Sequence, residues 1–105
     1  MSNEVNVEIY VKRVGERAYV VTSIVNDREL VREFNDCNSA YAVHVVLRNI
    51  VYSHPNSKIV FKTNANTVLD DIREMDSSTR PLTKYLRIAL ESNDSQIIEA
   101  VFSAN

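Results

Sequence analysis

One glycine, two prolines, one cysteine and no tryptophan occur in 105 residues, and each scarcity removes a class of protein. With Gly15 alone free to take positive φ without steric cost, there is no Gly-rich phosphate loop, dinucleotide fingerprint or flexible linker. The lone Cys37 makes neither an intramolecular disulfide, nor a redox pair, nor a thiolate zinc site, which points to a reducing cytoplasm. As a nucleophile it would need His44 or His54 beside it, and nothing in the spacing brings either there. Cys37 reads instead as a buried or half-buried thiol ahead of a helix. No run approaches the roughly 18 apolar residues of a membrane span, and Met1 to Tyr10 has no basic stretch leading into an apolar one. Neither a membrane segment nor an export signal is expected. Positive charge is short as well: 12 Lys and Arg against 14 Asp and Glu leave a net charge of -2, so no global field draws in a phosphate backbone.

What is present describes one α/β domain spanning residues 1–105. Hydrophobic residues make up 45% and charged residues 25%, the balance of a chain that buries a core rather than of a disordered tail. From Glu4 to Lys12 the residues alternate, with Val5, Val7, Ile9 and Val11 on one face and Glu4, Asn6, Glu8, Tyr10 and Lys12 on the other. Gly15 marks a hairpin turn into a second strand, Arg17 to Val25, and Asn26-Asp27 turns into a third, Glu29 to Phe34. The period then lengthens: Ala40, Val43, Val46, Leu47, Ile50 and Val51 make a helix capped at Asn38 or Ser39 and closed before His54-Pro55. A fourth strand, Lys58 to Thr63, follows across that helix, a connection that favours parallel pairing. Val68, Leu69, Ile72 and Met75 predict a short helix. A further helix starts near Pro81 with Ser78 or Thr79 as cap, and Gln96 to Phe102 is the last strand.

This order of elements resembles that of ribonuclease H-like domains. Glu8-Ile9-Tyr10 looks like the run before the family's first catalytic Asp, and Asn38 to Val43 resembles the segment that opens its first helix and supplies a Glu. Phe61 to Val68 is similar to the Thr-Asp-Ser segment closing the fourth strand, and Leu82 to Phe102 to the helix and last strand before the His-bearing loop. The resemblance implies a mixed five-stranded sheet of order 3-2-1-4-5 with the helices mainly on one face. It also implies an active site of carboxylates converging on two divalent ions. At the matching positions stand Lys12, Tyr41 or Ala42, and Asn64, none of them a carboxylate. The family's His-bearing loop and final helix have no counterpart before Asn105. No catalytic residue, metal or cofactor is therefore expected.

Other carboxylates do not replace the missing set. Asp70 and Asp71 are sequence neighbours that point to different faces of a helix, which reads as a solvated surface. Glu8 and Glu99 read as partners of Lys12, Lys58 and Lys62, with Glu8 near Lys58 or Lys62 as a cross-strand pair. His44 reads as a surface histidine with no acidic neighbour. With no match to the family's last helix, one sheet face is expected to stay open, and alternation assigns to it Glu4, Glu8, Tyr10, Lys12, Tyr19, Val21, Val25, Lys58, Val60, Lys62, Ile97, Glu99 and Val101. The expected function is a non-catalytic interaction domain that binds a protein partner or its own copy, as a homodimer, through Tyr10, Tyr19, Val21, Val60, Ile97 and Val101. The alternative is a nucleic-acid-binding surface in which Lys12, Arg13, Lys58 and Lys62 meet phosphates while Tyr10 and Tyr19 stack on bases.

Overall fold

The computed structural model describes residues 3–104. Alternating Val5, Val7 and Ile9 are buried in β1 (Glu4–Gly15), while their neighbours Glu4 and Asn6 are exposed, so the strand has one dry face. β2 (Ala18–Val25) and β3 (Arg28–Asn35) continue it as an antiparallel meander. The second turn uses Asn26 and Asp27 at φ 48° and 70°, as tight hairpin turns demand. The first turn departs from expectation. Gly15 keeps a negative-side φ, Arg17 takes φ 144°, and the pairing slips between Arg13 and Gly15.

Asn38 caps α1 (Ser39–Ser53), its side-chain oxygen accepting the Tyr41 N–H at 2.8 Å. The helix stops where His54 is forced out of the α region by Pro55. β4 (Lys58–Thr63) then pairs parallel to β1, α2 (Asn66–Arg73) and α3 (Pro81–Ser92) follow, and β5 (Gln96–Phe102) pairs parallel to β4. At α3 the cap position is Arg80 rather than Ser78 or Thr79; the Ser78 hydroxyl accepts the Arg80 N–H at 3.2 Å instead.

The sheet is mixed, with strand order β3-β2-β1-β4-β5. The buried strand residues Val5, Val7, Ile9, Val21, Ile59 and Phe61 share one side, where they meet Val43, Leu47 and Val51 of α1, Leu69 of α2 and Leu86 of α3. Burying each such side chain contributes about 1.5–3 kcal/mol, so this single layer of helix on sheet holds the domain together. Among the described residues no helix is long and apolar enough to cross a membrane.

Candidate interaction surface

Register decides which side chains share the uncovered face. Val7, Ile9 and Val11 pair with Val25, Ser23 and Val21, and Arg13 pairs with Tyr19, so all of these lie on the helix side. Three sequence assignments are thereby corrected. Val21 is buried in the core at 1% exposure, and Tyr19 and Val25 point to the same side. The slip between Arg13 and Gly15 is the cause, since one residue of offset reverses every side chain of the following strand. Ile97 is the fourth correction: it pairs with Ile59 on the core side, and an irregularity between Ile59 and Val60 then returns Glu99 and Val101 to the open side.

The open face is therefore built by Val20, Thr22 and Ile24 of β2, Glu29, Val31 and Glu33 of β3, and Glu4, Glu8, Tyr10 and Lys12 of β1, with Lys58, Val60 and Lys62 of β4 and Glu99 and Val101 of β5. Of the six residues first expected at an interface, Tyr10, Val60 and Val101 are here. Val20 and Ile24 were missed because β2 is apolar on both faces, so alternation has nothing to choose by, and Val31 of β3 because its side follows from its pairing with Thr22 of β2.

The basic cluster assembles only in part. Lys12, Lys58 and Lys62 share the open face with Tyr10, but Arg13 and Tyr19 lie on the other, and Arg13 donates through Nε to the Gly15 carbonyl at 2.9 Å. Glu4 is the register partner of Lys58 and Glu8 of Lys62. The expected Glu8–lysine ion pair is replaced by a hydrogen bond, the Tyr10 hydroxyl donating to Glu8 Oε1 at 2.6 Å.

At the positions matching metal-binding carboxylates, Lys12 and Tyr41 are exposed and Ala42 is buried. Asn64 Oδ1 accepts the Val11 N–H at 2.9 Å and its Nδ2 donates to the Val11 carbonyl at 3.0 Å, so its amide extends the β1–β4 ladder by one more pair. No group of three or more His, Cys, Asp and Glu with metal-binding geometry occurs among the described residues. Cys37 is half-buried before α1 as expected, and His54 sits at the far end of that helix with Nδ1 on the Ile50 carbonyl.

A buried polar cluster lies between the helices where a solvated surface was expected. His44 is 0% exposed and Asp71 6% exposed, with His44 Nε2 3.2 Å from Asp71 Oδ2 and Arg80 Nη1 2.8 Å from Asp71 Oδ1. Burial pushes the His44 pKa below its ordinary value; the Asp71 carboxylate opposes this, and Arg48 and Arg80 add to the lowering. The contact joins α1 to α2 across 27 residues, too far for any local spacing to reveal it.

A scan against protein-family models and a search of curated proteins each found no match to this chain.

Proposed function

We propose that this chain is a ribonuclease H-like domain without a working catalytic centre, and that it acts as an interaction domain which dimerises through the open face of its sheet. The fold reading is supported by the strand order β3-β2-β1-β4-β5 and by its change from antiparallel to parallel pairing at β1. The non-catalytic reading is supported by Asn64, whose amide is committed to Val11 at a position where the family's metal site needs a carboxylate.

One observation carries the choice of a second copy as partner. On the open face β3 presents Glu29, Val31 and Glu33 at alternate positions, and β4 presents Lys58, Val60 and Lys62 with the same spacing. Glu29, Ile24, Glu8 and Lys62 stand in one row across the sheet. A twofold axis along the strands between β1 and β2 would therefore lay Glu29 of each copy over Lys62 of the other and bury Val31 and Val60. An isologous contact of this kind uses the same charge match twice. Monomers rarely leave contiguous apolar patches beyond a few hundred Å² open, and Val31 is 54% exposed here.

Light scattering at about tens of micromolar tests this, in the micromolar range where such interfaces form. Wild type should scatter as a dimer, Glu29→Lys or Lys62→Glu alone should shift it toward monomer, and Glu29→Lys with Lys62→Glu together should restore it. A monomeric wild type overturns the proposal, as does a dimer that both single reversals leave intact.

A further inference from the structure

On the helix side, α1 packs chiefly on β1 and β2, and β3 extends beyond it as an edge strand with one neighbour. Between them lies a groove of about 370 Å³, floored by Val25, Val46 and Ile50 and walled by Leu30, which is 62% exposed. Register puts Arg28 and Arg32 on the same side as Leu30, one on each flank, and both line the groove. Arg32 lies over the Phe34 ring at 4.9 Å, and among the described residues neither arginine is ion-paired with a carboxylate. Glu29 also borders the groove, but its side chain belongs to the open face. The unpaired edge of β3 offers main-chain donors and acceptors, beside an apolar slot with a cation on either side.

We propose that this groove takes an extended peptide segment which adds to β3 as a sixth strand and presents acidic, apolar and acidic side chains at alternate positions. Strand addition supplies main-chain hydrogen bonds, and alternate side chains supply specificity. Residues of the added strand opposite Arg28, Leu30 and Arg32 would be the acid, the apolar residue and the acid; the apolar one enters the slot over Ile50 and Val46. Basic or hydroxyl residues between them would face Glu29, Val31 and Glu33 on the other side.

A second copy of β3 is the wrong occupant. Antiparallel self-pairing about an axis normal to the sheet keeps each face with itself, and β3 carries arginine on one face and glutamate on the other. Centring the pair on Leu30 opposes Arg28 to Arg32, centring it on Val31 opposes Glu29 to Glu33, and centring it on Arg32 opposes that residue to its own copy. Every such register sets like charges opposite each other, a device that keeps edges from joining. The same charges that exclude a copy select an acidic partner.

The test uses two synthetic peptides, Thr-Glu-Thr-Val-Thr-Glu-Thr and the same peptide with lysine in place of glutamate, titrated into the full chain and followed by amide NMR shifts. The glutamate peptide should perturb β3 amides together with Asn49 and Ser53 of α1, and bind about tenfold or more tightly than the lysine peptide. Arg28→Glu with Arg32→Glu, both at exposed positions, should reverse that preference. Equal binding of the two peptides, shifts confined to the open sheet face, or no shift at millimolar peptide would overturn the proposal. Because the groove and the open face lie on opposite sides of the sheet, failure of dimerisation leaves this result unaffected.

Discussion

Protonating His44 would place a cation in a site with no exposure, close to Arg48 and Arg80, and only Asp71 favours it. In the neutral ring Nε2–H donates to Asp71, and Nδ1 has no partner to hold a second proton. The sign of the pH effect follows. A histidine whose folded pKa lies below its unfolded value near 6.5 binds more protons in the unfolded chain, so its contribution is complete above that pH and is lost as pH falls through it. Urea unfolding between about pH 8 and about pH 5, the range in which an ordinary histidine titrates, should show the midpoint falling on the acid side. His44→Gln keeps a donor for Asp71 and should flatten that part of the profile; a variant with the wild-type slope would show that His44 is not its source. None of this was legible in the sequence. His44 sits at helical spacing from Arg48, and Asp70-Asp71 looks like a solvated pair; only the packing of α2 against α1 separates exposed Asp70 from buried Asp71.

The elements themselves were legible to within a few residues because their signals are local: alternation in β1, Asn38 as cap, Pro55 as stop and Pro81 as start. Phase was not. β2 offers apolar residues to both faces, and its orientation rests on the slip after Arg13, while in β5 the irregularity after Ile97 separates that residue's face from Val101's. The role of Asn64 was equally hidden, since the group it holds is 53 residues away. Its clamp makes a specific demand: one donor and one acceptor on the same planar group. Asn64→Asp keeps the acceptor for the Val11 N–H but sets a carboxylate oxygen against the Val11 carbonyl. We expect a loss of about 1–3 kcal/mol in urea unfolding, the range for leaving a half-buried backbone group unsatisfied. Unchanged stability would mean that the clamp is replaceable by water and that position 64 is open to a carboxylate after all.

At the scale of the whole molecule, charge is arranged in opposed columns rather than in one field. The net charge of -2 conceals an acidic column on β3 and a basic one on β4, with Glu4 and Glu8 of β1 standing beside Lys58 and Lys62 in register. A phosphate approaching the β4 lysines meets those glutamates within a Debye length of about 8–10 Å, so the attraction is cancelled where it would be felt. Tyr10, the aromatic residue on this face nearest the lysines, has its hydroxyl on Glu8, and Tyr19 is on the other side of the sheet. Composition leaves only a local patch for a polyanion, and the cancellation at that patch depends on strand order, which places β1 between β2 and β4. Single-stranded binding through Lys12, Lys58 and Lys62 should therefore be weak and steeply salt-dependent, with log affinity falling by roughly 0.7 per phosphate neutralised for each unit of log salt. Anisotropy of a labelled oligonucleotide should show binding lost by physiological salt, and an RNA/DNA hybrid with Mg²⁺ should stay uncut in the same buffer. Submicromolar affinity at that salt, reduced by Lys58→Glu and Lys62→Glu, would show that the lysines escape their register partners and would return the open face to nucleic acid.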